Sequence, residues 1–195
     1  MKHDVVIAGV GGQGILTIAA VLGHAAVNRG LYVKQSEVHG MAQRGGAVSA
    51  HLRLSSEPIH ADLIAPGTAD VLLAVELLEA LRHLPLLAKD GVLLANTVPV
   101  VNINDYPEPD SILQELAAVP RRVLLDANAA ARSAGSNRAM NMVMLGALSP
   151  FVGLAETDLR DTICQAFAAK GDKIVDINLA AFASGREAAL EADTE

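Results

Sequence analysis

Tryptophan is missing and aromatic residues make up only 3% of the 195 residues, so the core must be filled by aliphatic side chains rather than rings. The single cysteine, Cys164, excludes an internal disulfide. Taken alone it cannot furnish the several thiolates that iron–sulfur clusters take, so any cluster belongs to another chain. Lys and Arg number 15 against 22 Asp and Glu, a net charge of −7. That balance lacks the positive field that dominates nucleic-acid affinity, and no nucleic-acid partner is expected. No apolar stretch approaches the roughly 20 residues of a membrane-spanning helix. The first nine residues also lack the basic start, long apolar segment and small-residue cleavage site of a signal peptide. A soluble, cytoplasmic protein without membrane contact is expected.

What is present is burial potential. Hydrophobic residues reach 51%, enough to offset chain entropy and exclude a largely disordered chain. The length suits one core, and no linker or internal repeat divides it. We expect a single domain over residues 1–191 and a frayed tail at 192–195.

The apolar run Val5-Val6-Ile7-Ala8 suits a strand buried on both faces. Ile15, Ala19, Leu22 and Ala26 then recur at helical spacing until Arg29-Gly30 ends the helix. Residues 31–36 read as a second strand, completing a βαβ unit. Over 48–54 the pattern becomes strict alternation, Val48, Ala50, Leu52 and Leu54 against Ser49, His51 and Arg53, a strand with one polar face that is antiparallel or at an edge. Residues 70–75 and 91–96 read as strands separated by a helix over 76–89. Three prolines make 98–109 irregular, with room for a short edge strand at Val100-Val101. A helix begins at Ser111, with Gln114 at the capping-box offset. A strand at 122–126 follows, then helices over 128–133, 137–148, 156–170 and 174–191. Strands alternating with helices argue for a three-layer α/β/α domain around a mostly parallel, Rossmann-like sheet.

Gly9-Val10-Gly11-Gly12-Gln13-Gly14 satisfies Gly-x-Gly-x-x-Gly directly after a strand and opening a helix. Gly11, Gly12, Gln13 and Gly14 would offer a tight turn and backbone amides at a positive helix end, suited to a phosphate or carboxylate. Glu37, roughly 23 residues beyond Gly14, stands where an acid binding an adenine-side ribose is found in dinucleotide folds. The alternative is that the glycines only permit close strand–helix packing. A second polar loop, residues 36–46, leaves the same sheet edge. Within it Arg44 can pair with an anion, and His39 and Gln43 can donate hydrogen bonds, with Gly45 and Gly46 closing the loop. The competing reading makes it a subunit contact.

Other candidates are weaker. His51, His60 and His83 lack a metal-ligand arrangement, and no metal site is expected. Cys164 reads as a buried small residue. Met140, Met142 and Met144 read as packing, with Met140 and Met144, at i and i+4, able to meet a partner surface. No Gly-x-Ser-x-Gly elbow or Walker A sequence occurs, and no catalytic residue is assigned.

Three segments carry a family resemblance: residues 6–14, residues 36–46, and Asn141-Met142-Val143-Met144-Leu145-Gly146-Ala147. In this order they resemble the gamma domain of 2-oxoacid:ferredoxin oxidoreductases, most nearly its indolepyruvate branch, and the likeness extends to Asn178-Leu179-Ala180-Ala181-Phe182. The resemblance implies a holoenzyme that oxidatively decarboxylates an aryl 2-oxoacid such as indolepyruvate to an acyl-CoA, with thiamine diphosphate, coenzyme A and ferredoxin as electron acceptor. It also implies a large alpha subunit carrying the thiamine diphosphate and the iron–sulfur clusters. This chain has no Gly-Asp-Gly thiamine motif, since Gly171-Asp172 is followed by Lys173. As the small subunit it would complete or gate the active site, Arg44 attracting a coenzyme A phosphate or the substrate carboxylate, and would not be active alone. A stand-alone Rossmann-type enzyme that binds NAD or NADP and a noncatalytic assembly domain remain the competing readings.

Overall fold

Apolar runs open to both sides generate the centre of the sheet. In the computed structural model, which describes residues 1–39 and 45–192, β1 (Lys2–Val10) is buried from Asp4 onward. Its alternate residues serve two cores: Val5 and Ile7 join one, Val6 and Ala8 the other. β4 (Ala69–Ala74) and β5 (Leu87–Asn96) behave alike, with Leu73 and Leu94 on one face and Leu72 and Leu93 on the other. Two-sided burial of this kind is what parallel strands between helical layers require.

The larger core lies under α1 (Ile15–Asn28), α4 (Ala127–Ser133), α5 (Met140–Leu148), α6 (Glu156–Phe167) and α7 (Asp172–Ala192). The smaller lies under α2 (Leu77–His83) and α3 (Pro109–Ala117). With β2 (Tyr32–His39), β3 (Ala47–Ser55) and β6 (Arg122–Leu125), the sheet runs β2-β3-β1-β4-β5-β6. The pairs β1–β4, β4–β5 and β5–β6 are parallel; β3 is antiparallel to both β1 and β2. The expected three-layer, mostly parallel α/β/α domain is therefore found, with one reversed strand.

That strand meets one expectation by its antiparallel direction and corrects another by its place in the sheet. β3 is antiparallel but internal, and the edge belongs to β2. β2 follows α1 as expected, yet it does not pair with β1, because β3 is inserted between them. The polar face of β3 is covered by the 56–68 connection instead of a helix. Arg53 donates to the carbonyls of Ala61 and Leu63 at 3.1 and 3.3 Å, and the Ile64 N–H donates to His51 Nδ1 at 3.0 Å.

Elsewhere the helix expected over 76–89 stops at His83; Pro85 lies in the 3-10 turn Leu84–Leu86 that follows, and β5 already starts at Leu87. The short strand at Val100-Val101 does not form. The Val100 N–H is taken by the Glu76 carboxylate at 3.0 Å, and Val101 is 69% exposed. The third helix begins at Pro109, not Ser111, since proline suits a first helical position where its missing N–H costs nothing. The stretch 137–148 divides into a 3-10 turn, Asn137–Ala139, and α5; the last helix runs from Asp172 to Ala192. Cys164 is half-buried on the flank of α6 rather than enclosed. Met142 and Met144 are fully buried, which removes Met144 from any partner surface in this fold.

α5 and α7 cross at backbone contact. A Cβ on Gly146 would collide with the Phe182 carbonyl, and one on Gly185 with the Val143 carbonyl. No helix among the described residues is long and apolar enough to cross a membrane.

Candidate functional site

The glycine turn sits where β1 ends and α1 begins. Gly12 and Gly14 adopt φ of 100° and 80°, a left-handed region that strains other residues. Gly14 is the N-cap residue of α1, its carbonyl accepting from the N–H groups of Thr17 and Ile18. Beyond it the first turn leaves amides at a positive helix end. A Cβ at Gly9 would come within 2.7 Å of Gln13 Oε1, and one at Gly14 within 2.5 Å of Asn141 Nδ2. Gly9 and Gly14 thus allow side chains to close over the turn.

Gln13 faces inward. Its Oε1 accepts from the Val10 N–H at 2.8 Å, and its Nε2 donates to the Val75 carbonyl at 3.3 Å. Asn96, only 1% exposed, donates to the same Val75 carbonyl at 3.2 Å and to Asn128 Oδ1 at 3.0 Å, while its own Oδ1 accepts from Ala127 N–H. The ends of β1, β4 and β5 and the start of α4 are stitched together by these two amides. Their role is to hold the turn in place, since both side chains are committed to protein groups.

The two glycine segments meet. Gly11 N–H donates to the Gly46 carbonyl at 2.8 Å and Gly45 N–H to the Gly11 carbonyl at 3.3 Å. Asn102, from the 97–108 connection, donates through Nδ2 to the Gly45 carbonyl. Gln43 and Arg44, with Gly40, Met41 and Ala42, lie outside the described residues. Glu37 and His39 project from β2 on the side of α1, both exposed, with Glu37 accepting from Gln35 Nε2 at 2.5 Å. Because β3 intervenes, Glu37 stands two strand spacings, about 10 Å, from β1 rather than on the adjacent strand where a ribose-binding acid is found.

Sequence reasoning passed over Glu76, Asn96, Asn102 and Asn141. Glu76, 1% exposed, starts α2 by accepting from the Glu79 N–H at 3.0 Å, and it binds Tyr106 Oη at 2.6 Å and the Val100 N–H at 3.0 Å. This carboxylate fixes the 97–108 connection beside the turn. The only local signal is a polar residue at the end of an apolar strand, as in Asn96 after Leu93-Leu94-Ala95. Beside it Glu79 is 2% exposed, with Oε2 lacking a hydrogen bond. Burial raises its carboxyl above the ordinary range, although Arg82 at 2.8 Å and His83 at 3.6 Å pull the other way. His51 is held below its usual value by burial, with His83 and Arg53 adding to the effect. Its Nδ1 is occupied by the Ile64 N–H, so the ring serves there as a hydrogen-bond acceptor. Among the described residues no group of three His, Cys, Asp or Glu is arranged to hold a metal ion.

Four large apolar residues stand exposed around this edge: Leu16 on α1, Val38 on β2, and Val101 and Ile103 on the 97–108 connection, each 40–69% exposed. The arrangement is a turn of glycine backbone, closed by its own hydrogen bonds, within an apolar rim. It offers binding and shape, and no nucleophile or acid–base pair.

Comparison with known proteins fits this geometry. The family model for pyruvate ferredoxin/flavodoxin oxidoreductase matches residues 4–188. The indolepyruvate oxidoreductase subunit IorB of Archaeoglobus fulgidus is 37% identical, the match covering 97% of this chain and 96% of that protein. Its namesake in Methanothermobacter thermautotrophicus is 36% identical, over 98% of this chain and 100% of that one. The fold agrees with the crystal structure of a keto/oxoacid ferredoxin oxidoreductase gamma subunit from Geobacter sulfurreducens, TM-score 0.69 at 23% identity, over 97% of this chain and 99% of that one. The chain belongs to the pyruvate ferredoxin/flavodoxin oxidoreductase family.

Proposed function

We propose that the chain is the small subunit of an indolepyruvate-type 2-oxoacid:ferredoxin oxidoreductase, inactive alone, that docks by its glycine-turn edge onto a large subunit. The observation that carries this is end-to-end identity of 36–37% with the IorB subunits, covering nearly the whole of both chains. The large subunit would carry thiamine diphosphate and the iron–sulfur clusters, with ferredoxin as electron acceptor and coenzyme A taking up the acyl group. This chain's residues do not fit the thiamine or cluster sites. It has one cysteine, and Gly171-Asp172-Lys173 is used to start α7. Both groups therefore fall to the partner.

What this chain contributes is enclosure. A carbanion formed during decarboxylation must be kept from bulk water, and the order of substrate entry is set by whatever closes the site. Leu16, Val38, Val101 and Ile103 supply the apolar contact. Gly12, Gly14 and Gly46 supply amides, those of Gly11 and Gly45 being spent in closing the turn, and Arg44 with His39 supplies charge and hydrogen bonding for an anionic substrate or coenzyme A phosphate. The stitching by Gln13 and Asn96 keeps that surface rigid.

The test is anaerobic purification of the tagged chain from its native cell, with mass analysis of co-purifying proteins and an assay of coenzyme A-dependent indolepyruvate oxidation. A large iron- and thiamine-containing partner with that activity is the expected result. Recovery of the chain alone, or of a partner inactive on aryl 2-oxoacids, overturns the reading. In the complex, Arg44→Ala should raise the KM for coenzyme A or the oxoacid with the complex intact, and Val101→Asp with Ile103→Asp should release the partner. Unchanged kinetics in the first variant removes the role of Arg44.

A further inference from the structure

On the helical side of the glycine turn lies a cleft of about 440 Å³, walled by Thr17, Arg138, Asn141, Phe167, Lys170 and Ile177 among others. Its volume falls in the range of small-molecule sites. Three observations set it apart from other surface hollows. Asn141 is only 8% exposed, yet its side-chain amide has no hydrogen-bond partner among the described residues. The amide is not sealed from solvent, since the one buried side-chain atom without a partner among the described residues is Glu79 Oε2, so it is open to a polar group entering the cleft. Arg138 and Lys170 both line the cleft, and neither has a carboxylate partner among the described residues, although acidic residues outnumber basic ones in the chain. Finally, the opposite wall is apolar, with Phe167, Ile174 and Ile177, and Lys170 Nζ stands 5.0 Å from the centre of the Phe167 ring.

We infer that this cleft is a binding site for an organic phosphate, its phosphate held by Arg138, Lys170 and the Asn141 amide and its apolar body lying against Phe167 and Ile177. Thr17, in the first turn of α1, adds a hydroxyl at the positive end of that helix. The forked guanidinium and the ammonium together match a dianion better than a single carboxylate. The cleft is formed wholly within this chain, so its ligand does not depend on which oxoacid the complex uses. It is also distinct from the apolar rim, since Asn141 reaches the turn from the α5 side, whereas Gly45 and Gly46 close it from the β3 side.

The full chain is titrated with 1-naphthyl phosphate and its fluorescence followed; the absence of tryptophan leaves the naphthyl signal clear of protein emission. Inorganic phosphate and 1-naphthol are the controls. Saturable binding is expected that weakens with added salt, is at least tenfold tighter than for 1-naphthol, and falls at least tenfold in Arg138→Ala/Lys170→Ala. Both side chains are exposed, so this variant should fold, and an unchanged melting temperature checks it. Asn141→Asp, which adds a negative charge beside the phosphate, should abolish binding. Equal affinity for 1-naphthol, undiminished binding in the double variant, or no binding at millimolar probe overturns the inference.

Discussion

Tyr106 Oη donates a hydrogen bond of 2.6 Å to Glu76 Oε1, joining a connection without regular structure to the first residue before α2. A buried carboxylate that also accepts from two backbone N–H groups is nearly saturated, and the phenol supplies its last strong donor. Tyr106→Phe should destabilise the fold by about 1–3 kcal/mol, the cost of a hydrogen bond to a buried charged group. Hydrogen exchange should rise in residues 97–108 and stay unchanged in α5. Burial and the adjoining Glu76 carboxylate also push this phenol well above the ordinary value of 10.0. Of the two tyrosines in the chain, one should therefore ionise late in an ultraviolet titration, and that late step should vanish in the variant.

The crossing of α5 and α7 supplies a second expectation. With Gly146 set against the Phe182 carbonyl and Gly185 against the Val143 carbonyl, added methyl groups have backbone on the other side and cannot be accommodated by a rotamer change. Gly146→Ala and Gly185→Ala should each destabilise by about 1–3 kcal/mol or more, as overpacking does, despite alanine's better helix propensity. A chemical denaturation series measures this. The reverse result, stabilisation by alanine, would mean that the helices stand farther apart.

These two contacts mark the boundary of what the sequence discloses. The two-sided apolar runs of β1, β4 and β5 announce a covered parallel sheet because each residue must be buried on its own account. The glycine turn is equally legible, since positive φ and close approach leave few alternatives to glycine. The place of β3 is not legible, because its alternation of Ala50, Leu52 and Leu54 with Ser49, His51 and Arg53 fixes faces but not neighbours. For the same reason Glu37 kept the spacing of a ribose acid while sitting one strand too far away. Glu76 and Asn96 were hidden by being single polar residues with partners tens of residues away, Glu76 with Val100 and Tyr106 and Asn96 with Val75 and Asn128.

Acid should act on the opposite end of the sheet. Asp4 is 1% exposed and accepts from Arg53 Nε at 2.8 Å and Nη2 at 3.0 Å, with Lys2 Nζ at 2.8 Å. Burial alone would raise its carboxyl, but the hydrogen bonds and charges of Arg53 and Lys2 together outweigh it and hold the group below the ordinary 3.8. A folded value below the unfolded one gives stability that is full above about pH 4 and is lost as pH falls through the folded value. Glu79 works in reverse: its folded value is raised, so the protonated form is favoured in the fold, and stability declines as pH rises from the ordinary 4.5 through the folded value. Melting temperature against pH should show a steeper acid limb in the native chain than in Asp4→Asn, and a smaller loss above pH 4.5 in Glu79→Gln. Asp4→Ala, which strands Arg53, should cost about 3 kcal/mol at pH 7.

Gln13 lets the holding function of the turn be separated from ligand contact. Gln13→Leu keeps the volume but strands the Val10 N–H and removes one donor from the Val75 carbonyl, which still receives Asn96. The expected loss is about 1–3 kcal/mol, with the Gly11 to Gly46 and Gly45 to Gly11 hydrogen bonds weakened in turn. Gln13→Glu retains the acceptor for Val10 but sets a second oxygen against the Val75 carbonyl, so it should be at least as damaging above the pKa of the new carboxyl and milder below it. A residue that contacts substrate directly would behave differently. In the assembled complex both variants should lower turnover in proportion to their loss of stability, and neither should shift the KM for coenzyme A independently of that loss. A large KM change in a fully stable Gln13→Glu complex would move this side chain from the scaffold of the turn into the site itself.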